Sequence, residues 1–530
     1  MPAGPKVLPE LLRQRASEAP DAVALRVHRG AALTYGEWDR RADALGRGLV
    51  ARGVRRGDRV ALCFDTARWT DYAAGYAAVH RAGAVAVPVG PRFAGPELDQ
   101  VLRHCRAAGA VAPADLLGAV AGAPWAVPVE ELAAADGSDD GRPFQVPAEP
   151  GDLAEIIYTS GTTGTPKGVA CSHANLLFHE LPGSVTGAGA GPGGDPGAPA
   201  RVAFLHAFPV GTNAGQEVLR LPLRRSGVTA VALAAFDPQE LCAAVAEHGV
   251  TRLQLVPAMA QVLVASGAWQ VSDLSSVERV TLSSAPLPPA LLPALAAAFP
   301  NATLCNAYAL TESGTARTLL VGAERHPGSV GRPVGGTEVR VVDDSGGDVP
   351  AGGTGEIWLR RPGAPRRWYY RDPEATAAAF AGDWLRTGDL GHLDDEGNLY
   401  VDDRKKDLVV TGGTNVSTLE VEDALLHHPA VAEAAVVGVP HPVLGQDVAA
   451  AVVLRSAATP RELQAFVRRR LAEHKVPHRV AVVDELPRNA SGKVRKDLLA
   501  DELAGQSDGE RGPEARTSVG PRDPMEEMVL

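Results

Sequence analysis

The sequence predicts an α/β protein with largely parallel sheets, divided into a large domain and a smaller C-terminal one. The length of 530 residues exceeds one ordinary domain, and a hydrophobic content of 45% suffices for a large core and a second, smaller core. Helical and strand patterns alternate along the first part of the chain, which favours parallel sheets covered by helices. A second set of strand patterns follows residue 402 and indicates the separate small domain.

The first predicted elements are two amphipathic helices, followed by an alternation of strands and helices. Apolar residues share one helical face twice, first at Leu8, Leu11, Leu12 and Ala16 and then at Trp38, Ala42, Leu45 and Leu49. Gly53 offers a C-terminal stop for the second helix. Residues 60–64 and 85–89 are typical of strands, with a helix at 71–81 between them. Residues 155–158 form a further short, buried strand.

The small domain is predicted from about a hundred residues after position 402. Apolar runs at 434–438 and 449–454 are typical of strands, and residues 461–473 have a helical pattern. Beyond about Asp501 the sequence is polar, acidic and interrupted by Gly and Pro, which predicts a disordered tail. Gly, Pro and Ala also dominate residues 182–199, which predicts a mobile loop.

The residues that follow the strand at 155–158 form a loop suited to binding phosphate. Three glycines let its backbone approach a ligand closely: Gly161, Gly164 and Gly168. Backbone N–H groups and four hydroxyls can donate to phosphate oxygens: Thr159, Ser160, Thr162 and Thr163. Lys167 adds a mobile positive charge. The segment is not a P-loop, because its lysine follows Pro166 and precedes a glycine. A plain Gly/Ser/Thr linker is also disfavoured, because linkers rarely follow a buried strand.

Composition excludes several classes of partner and site. A net charge of −11 offers no basic face to a nucleic-acid backbone, so DNA or RNA binding is not expected. No apolar run approaches the ~20 residues of a membrane span, and the N-terminus lacks a signal-peptide pattern. We therefore expect a cytoplasmic location without a membrane partner. Five cysteines without a C-x-x-C pair disfavour a zinc site or a disulfide framework: Cys63, Cys105, Cys171, Cys242 and Cys305.

Five ordered motifs make the chain resemble the adenylate-forming superfamily of acyl-CoA synthetases, peptide-synthetase adenylation domains and luciferases. The motifs lie at residues 158–169, 306–312, 384–389, 403–415 and 487–494. The resemblance spans about residues 8 to 503. It implies a large N-terminal domain, residues 1–402, of αβα-layered sheets plus a distorted β-barrel. It also implies a small, mobile α+β domain at 403–503, followed by a tail at 504–530 that we expect to be disordered.

The resemblance implies that the protein makes an acyl-adenylate from ATP with the help of Mg²⁺. A carboxylate must approach the α-phosphate, and because both groups are anions a positive charge must bridge them. The family assigns this task to the lysine of the last motif, here Lys493. Thr311 is expected to contact the α-phosphate. Glu312 is expected to bind Mg²⁺, which prefers one or two carboxylates together with phosphate and water.

The resemblance also implies a nucleotide pocket. Tyr308 is expected to lie along the adenine ring with Asn306 near its amino group, because an aromatic face and an amide together recognise a purine. Asp389 matches an aspartate that accepts hydrogen bonds from both ribose hydroxyls. Arg404 matches a second position that contacts the nucleotide. The alternatives are a tyrosine packed in a core and, for Asp389 and Arg404, surface ion pairs.

Lys406 stands where the family places the hinge between its domains. After adenylation the small domain is expected to rotate about this point, which withdraws Lys493 and presents Gly412 and Gly413 to the incoming thiol. The family often has proline where this chain has Thr418, which leaves the details of thiol docking open.

The carboxylic acid is expected to lie among small or apolar residues. By resemblance the pocket includes His206, Phe208, Asn213, Ser283 and Ala309. Amino-acid-activating relatives place an aspartate in the segment at 205–216, which here contains no acidic group. An α-amino acid is therefore disfavoured, because its buried ammonium would lack a partner. Whether His206 gates the pocket or packs there, and whether Asn213 or Ser283 holds a polar substituent or a backbone contact, stays open.

The pocket sequence also bears on the aromatic acids. Relatives that take dihydroxybenzoate usually show His-Asn-aromatic-Pro, whereas this chain has His206, Ala207, Phe208 and Pro209. The missing amide argues against that substrate. An aromatic, aliphatic or otherwise uncharged acid remains possible.

We therefore predict an ATP-dependent acid–thiol ligase that forms an acyl-AMP, releases pyrophosphate and transfers the acyl group to CoA. An adenylation enzyme that charges the phosphopantetheine arm of a separate carrier protein stays open, because both acceptors end in the same thiol arm. The third alternative is an inactive nucleotide-binding relative. The joint presence of Lys493, Glu312, Asp389 and Arg404 argues against it.

Overall fold

The computed structural model describes residues 6–91, 93, 95–134, 142–159, 166–178, 202–488 and 493–505. It confirms a mixed α/β chain with a large N-terminal domain and a small C-terminal domain. Within these ranges, no helix combines the length and apolar character needed to cross a membrane. The predicted loop at 182–199 and most of the predicted tail lie outside the described residues.

The large domain alternates helices and strands for most of its length. Its first elements are α1 Leu8–Glu18, β1 Val23–Val27, β2 Ala32–Thr34, α2 Tyr35–Ala51, β3 Arg59–Cys63, α3 Trp69–Arg81, β4 Val85–Val89, α4 Gly95–Cys105, β5 Ala107–Ala112, β6 Ala126–Pro128, α5 Val129–Ala134, β7 Leu153–Thr159, β8 Lys167–Ser172 and α6 His173–Leu177. Then come β9 Val202–His206, α7 Asn213–Arg224, β10 Val228–Ala232, α8 Pro238–His248, β11 Arg252–Leu255, α9 Pro257–Ser266, β12 Arg279–Ser283, α10 Leu292–Ala298 and β13 Thr303–Tyr308.

Antiparallel strands dominate the rest of the large domain, and the small domain follows them. The former are β14 Arg317–Val321, β15 Ser329–Val334, β16 Glu338–Val342, β17 Gly355–Arg360, β18 Trp368–Tyr369, α11 Pro373–Ala379, β19 Phe380–Ala381, β20 Trp384–Leu393 and β21 Leu399–Arg404. The small domain contains β22 Val409–Thr411, β23 Thr414–Val416, α12 Thr418–Leu426, β24 Val431–His441, β25 Gly445–Leu454, α13 Pro460–Arg468, β26 Arg479–Val482 and α14 Lys496–Gly505.

Two sheets form the large domain. Over the described ranges, one has seven strands in the order β18-β8-β7-β4-β3-β5-β6, and the other has fourteen in the order β16-β17-β20-β21-β15-β14-β13-β12-β11-β9-β10-β1-β2, with β19 beside β20. The centres of both sheets are parallel, as predicted. Most of the remaining strands are antiparallel, although β6 at one edge of the seven-stranded sheet is parallel to β5, so the prediction of largely parallel sheets is wrong for the antiparallel part. Strands β14 to β17 and β19 to β21 form the antiparallel part of the larger sheet.

The small domain is a sheet with helices on both faces. Its strands run β23-β22-β25-β24, with β26 beside β25. Side chains of β24 alternate between two cores: Val436 packs with residues of α12 and α13, and Val437 packs with residues of α14. Helix α14 continues to Gly505, two residues beyond the predicted end of the domain at 503.

The predicted elements are largely confirmed, with two corrections. Helices α1, α2 and α3 and strands β3, β4, β7, β24 and β25 coincide with the predicted segments. The helix predicted at 461–473 is too long, because α13 ends at Arg468. Val476 precedes Pro477 and is extended, as the proline ring requires. Lys167, predicted in a loop, is the first residue of β8 and pairs in register with Thr159.

The parallel strands of the larger sheet bring the predicted pocket segments to one edge. Strands β9, β11, β12 and β13 are parallel neighbours, and Ser283 at the end of β12 lies opposite Ala307 of β13. The segments that follow His206, Ser283 and Tyr308 therefore leave the sheet side by side. Ligands of open α/β sheets bind at such carboxyl ends.

Candidate active site

A cleft of about 3100 Å³ lies where the two domains meet, and its walls carry most of the predicted site residues. These are Thr159, Lys167, Phe208, Asn213, Ser283, Asn306, Tyr308, Ala309, Thr311, Glu312, Asp389, Arg404, Lys406 and Lys493. His206, Gly412 and Gly413 are not part of these walls. The loop residues Ser160, Gly161, Thr162, Thr163 and Gly164 lie outside the described part of the chain.

The residues predicted to hold ribose and adenine form one connected group. The Tyr308 hydroxyl donates a 2.6 Å hydrogen bond to Asp389 Oδ2, and Arg404 Nε lies 3.3 Å from Asp389 Oδ1. Asp389 and Arg404 face each other in register on β20 and β21. Burial raises the pKa of Asp389, although Arg404 opposes the shift. Burial and the nearby carboxylate raise the pKa of Tyr308 well above its usual range. The carboxylate is thus oriented before a ligand arrives.

Asn306 lies two residues before Tyr308 on β13, so both side chains point to the same face of the strand. Its Nδ2 donates to the Ser329 carbonyl oxygen at 2.8 Å, and the residue is buried at the cleft wall. This bond fixes which way the amide points. The spacing of the motif therefore places an amide and an aromatic ring side by side in the cleft.

Two residues that the motifs do not identify hold Glu312 and Thr311. The Tyr369 hydroxyl donates to Glu312 Oε1 at 2.9 Å, and Lys167 Nζ lies 5.2 Å from the centre of the Tyr369 ring. Arg367 Nη1 donates to the Thr311 carbonyl oxygen at 2.7 Å. Strand β18 pairs with β8, which brings Tyr369 beside the strand that Lys167 begins. Tyr369 therefore connects the phosphate-loop lysine to the predicted Mg²⁺ ligand.

Lys493 faces the open volume of the cleft from the small domain. The residue has an exposed surface there, yet the surrounding protein limits its hydration. This desolvation lowers its pKa, and the nearby Arg404 adds to the effect, whereas Glu312 and Asp389 oppose it. The electrostatic neighbours of Lys493 thus belong to the predicted phosphate, Mg²⁺ and ribose groups. The small domain therefore presents its lysine to the same cleft as the residues predicted to hold ATP.

The two polar residues predicted in the acid pocket both bond to side chains. Asn213 Oδ1 accepts from Arg367 Nη1 at 2.8 Å, and Ser283 Oγ accepts from Gln254 Nε2 at 3.0 Å. Neither bond is the backbone contact that the sequence left open. Phe208 and Ala309 supply apolar wall, with Ala309 exposed to the cleft.

His206 is not among the residues that line the cleft. It is the buried last residue of β9, and its ring stacks on Phe208 with ring centres 5.9 Å apart. Its Nδ1 accepts from the Phe208 N–H at 3.2 Å. Burial lowers the pKa of His206 to about 3, so the ring is neutral near pH 7. The contacts are those of packing behind the pocket, one of the two alternatives left open.

An acidic residue that the sequence analysis missed also lies in the cleft wall. Glu217 follows the segment at 205–216 by one residue. Burial alone would raise its pKa, but Arg224, Arg220 and Arg367 together hold the pKa well below its usual range. Its oxygens accept hydrogen bonds from Arg220 and Arg224 at 2.8 and 2.7 Å. Because these arginines already neutralise the carboxylate, it is poorly suited to pair with a substrate ammonium.

The predicted hinge is a turn between the large domain and the first strand of the small one. Lys406 is exposed, and the turn is closed by a 2.9 Å bond from the Asp407 N–H to the Arg404 carbonyl oxygen. Gly412 and Gly413 form the exposed turn between β22 and β23 with φ of 56° and 83°. They do not line the cleft in this arrangement.

Thr418, where the family often has proline, connects the hinge region to the segment that carries Lys493. Its N–H and its hydroxyl, the latter at 2.9 Å, both bond to Asp403 Oδ2. Lys496 Nζ donates to the same hydroxyl oxygen at 2.8 Å. Proline would provide neither the N–H nor the hydroxyl. This chain thus links residues on both sides of the hinge through one buried side chain.

We expect Thr418→Val to weaken this link. The substitution keeps the shape but leaves the buried Asp403 carboxylate and Lys496 with one partner fewer, which costs about 1–3 kcal/mol. Thermal unfolding of the purified protein measures the loss. Thr418→Ser, which keeps the hydroxyl, is the matched control and should stay near wild type. Equal stability of the valine and serine variants would show that the hydroxyl contributes nothing.

Comparison with known proteins places the chain in a family. The AMP-binding enzyme model matches residues 12–369, and the model of the AMP-binding enzyme C-terminal domain matches residues 420–493. The chain therefore belongs to the AMP-binding enzymes, and the predicted membership of the adenylate-forming superfamily is confirmed. Acid–thiol ligation, predicted from the same motifs, is the activity named for its relatives.

Three relatives illustrate this family. The chain is 36% identical to a feruloyl-CoA synthase from an Amycolatopsis species, over 91% of this chain and 96% of the relative. It is 31% identical to the fatty acid–[acyl-carrier-protein] ligase ScoC of Streptomyces coeruleorubidus, over 90% and 93% of the two chains. The solved o-succinylbenzoate CoA synthetase of Bacillus subtilis, in complex with its acyl-adenylate intermediate, has a TM-score of 0.82 and 28% identity, covering 95% and 99%.

Proposed function

We propose that the protein uses ATP and Mg²⁺ to activate a carboxylic acid that carries no charge apart from its carboxylate, and that it transfers the acyl group to CoA. The observation that carries this proposal is that Lys493 of the small domain lines the same cleft as Glu312 and Asp389 of the large domain and interacts electrostatically with both. This arrangement suits the first half-reaction. There a carboxylate oxygen attacks the α-phosphorus, and pyrophosphate leaves.

In that step the residues of this chain bind and orient the two anions. Asp389 accepts from the ribose hydroxyls, Tyr308 and Asn306 hold the adenine, and Thr311 contacts the α-phosphate. The hydroxyls of the loop at 159–164 and Lys167 hold the outer phosphates. Arg404 steadies Asp389. Lys493 places its ammonium between the attacking carboxylate and the α-phosphate, where charge redistributes in the transition state.

Glu312 is the residue suited to hold Mg²⁺. Its carboxylate faces the cleft, and Tyr369 occupies Oε1, which orients the group. One carboxylate together with phosphate and water is a donor set that Mg²⁺ accepts. When bound, the ion would neutralise charge on the phosphate oxygens. The same B. subtilis synthetase, solved with ATP and a magnesium ion at a TM-score of 0.81 and 28% identity over 92% of this chain and 98% of that one, supports this proposal.

The second half-reaction needs another arrangement of the small domain. A rotation about Lys406 would withdraw Lys493 and bring the exposed turn at Gly412 and Gly413 toward the cleft, where a thiol attacks the acyl carbon and AMP leaves. In this proposal the large domain ends near residue 402 and the small domain near residue 503. We place this chemistry in the cytoplasm, where CoA is available.

The substrate class follows from the charges of the pocket. Phe208 and Ala309 offer apolar surface, and Glu217 is already neutralised by arginines. An aromatic or aliphatic acid without an ammonium group fits these walls best. The feruloyl-CoA synthase relative supports an aromatic acid and CoA, whereas ScoC favours a carrier protein as the second candidate acceptor.

Two measurements test this function. Acid-dependent exchange of pyrophosphate into ATP, run over a panel of aromatic, aliphatic and amino acids, identifies the substrate. The enzyme, ATP and the best acid are then supplied with either CoA or a phosphopantetheinylated carrier protein. Saturable ATP binding without exchange for any acid would favour an inactive relative. Transfer to the carrier but not to CoA would favour the second candidate.

We expect Tyr369→Phe to weaken Mg²⁺ binding. The hydroxyl orients Glu312, and loss of such an outer-shell hydrogen bond typically costs 10- to 100-fold in metal affinity or activity. The Mg²⁺ dependence of pyrophosphate exchange measures the change. Tyr370→Phe, on the neighbouring residue, is the control. If both variants need the same Mg²⁺ concentration as wild type, Tyr369 does not position the ligand.

A further inference from the structure

Two histidines and a glutamate, distant in sequence, meet at one point of the large domain. His28 directly follows β1, and Glu247 and His248 end α8. Each residue offers one ligand atom, and the three atoms lie within 4.8 Å of one another. None of the three lines the large cleft, so the group is separate from the proposed active site.

The spacing of the donor atoms suits a tetrahedral ion. His28 Nδ1 and His248 Nε2 are 3.1 Å apart. The Glu247 oxygens lie 3.7 Å from His28 Nδ1 and 3.8 Å from His248 Nε2. Zn²⁺ binds histidine nitrogens and carboxylate oxygens at about 2.0–2.2 Å in tetrahedral geometry, which separates neighbouring donor atoms by about 3.3–3.5 Å. The observed distances between donor atoms lie on either side of this range, so small side-chain movements would bring all three atoms to tetrahedral spacing around one ion.

The surroundings favour a cation over a simple pair of histidines. The His28 side chain is only 2% exposed, and its other nitrogen, Nε2, is buried without a hydrogen-bond partner. Glu240 Oε2 lies 3.3 Å from this nitrogen, outside good hydrogen-bond geometry. A slight rotation would let Nε2–H donate to Glu240, which leaves the Nδ1 lone pair for a metal. Histidine ligands of zinc commonly make this carboxylate contact.

His248 and Glu247 complete the set of donors. The Glu247 side chain is 56% exposed, which leaves room for water as a fourth ligand. Arg29 pairs with Glu240 at 2.5 Å, so Glu240 serves as an outer partner and is not counted as a ligand.

We propose that His28, His248 and Glu247 bind one Zn²⁺ ion that joins the end of β1 to the end of α8. The ion balances the Glu247 carboxylate and separates the two imidazole nitrogens that now contact each other. Its role is to stabilise this part of the large domain. Cysteine spacing could not reveal the site, because no cysteine takes part in it.

Zn²⁺ titration of the full chain, prepared without a histidine tag and stripped of metal, tests the proposal. Competition with a chromophoric chelator should show one equivalent bound at micromolar or lower Zn²⁺, with a higher thermal unfolding midpoint when Zn²⁺ is present. His28→Gln and His248→Gln should each weaken binding on the order of 100-fold or more. Glu240→Gln should weaken it about 10- to 100-fold, as expected for an outer partner.

Matched controls separate this site from adventitious binding. His326→Gln changes a histidine elsewhere that also lies near a glutamate, at 3.8 Å, and should bind Zn²⁺ like wild type. Circular dichroism of each variant verifies folding. Wild-type protein that takes up Zn²⁺ only at millimolar concentration would overturn the proposal. Equal affinity of wild type and folded His28→Gln or His248→Gln would overturn it as well.

Discussion

Replacing Lys493 by alanine is expected to abolish adenylation almost completely. Lys493 shares the cleft with Glu312 and Asp389 and interacts with both electrostatically, and its ammonium would bridge two anions in the transition state. Loss of a preorganised charge-stabilising donor costs about 3–4 kcal/mol, which corresponds to about 10²- to 10³-fold in rate. Pyrophosphate exchange measures this step. Thioester formation from a synthetic acyl-adenylate should remain largely intact, because in the proposed second arrangement the small domain would have turned Lys493 away.

A control variant and a defined contrary result make this prediction testable. Lys475→Ala removes a lysine that pairs with Glu420 in the small domain, at 2.6 Å, and should leave both half-reactions near wild type. Equal loss of the two half-reactions in Lys493→Ala would contradict a role confined to adenylation.

The pH dependence of wild type provides an independent check on Lys493. Its pKa is lowered from the ordinary 10.5 by desolvation and Arg404, and deprotonation removes the charge that adenylation needs. The kcat/KM for pyrophosphate exchange should therefore fall as pH rises, with an alkaline midpoint below 10.5.

Replacing Arg220 by methionine is expected to produce the largest loss of stability. Arg220 and Glu155 are fully buried, and Nη1 lies 3.0 Å from Glu155 Oε2. Removing one partner of a buried ion pair costs about 3–5 kcal/mol, because the other charge stays buried without its counterion. Glu217 would lose one of its arginines at the acid pocket. Urea denaturation should show a lower midpoint, and the KM for the acid should change.

Two further variants define what Arg220→Met measures. Arg56→Met breaks a half-exposed pair with Asp152 and should cost no more than about 1 kcal/mol. Adding Glu155→Gln to Arg220→Met removes the stranded charge and should recover part of the stability. If the double variant is as unstable as Arg220→Met alone, the cost comes from lost packing and not from an unpaired carboxylate.

Local patterns predicted the fold well because they report which face of an element is buried. The apolar faces of α1 and α2 and the strand at β7 follow from periodicity within one element. The end of α13 could not be predicted in the same way, since its helical pattern continues to the segment before Pro477. The chain instead turns after Arg468 and forms a separate 3-10 turn at Glu473–Lys475, which apolar periodicity does not mark.

The candidate site residues that the sequence identifies belong to local motifs, whereas a residue that it missed reaches the site through strand pairing between distant segments. Asn306, Tyr308 and Glu312 lie within seven consecutive residues, whereas Tyr369 reaches Glu312 because β18 pairs with β8, about 200 residues earlier in the chain. No local pattern encodes that pairing. His206 shows a further limit: the sequence assigns it to the pocket segment at 205–216 but does not indicate that its ring is buried against Phe208.

The registered pair of Asp389 and Arg404 belongs to two strands that both end before Lys406. A rotation of the small domain about that turn would leave the ribose-binding residues unchanged. A reactive mixed anhydride could then stay anchored by its ribose while one set of catalytic groups replaces another. It would not need to dissociate, and so would escape hydrolysis in bulk water between the two reactions.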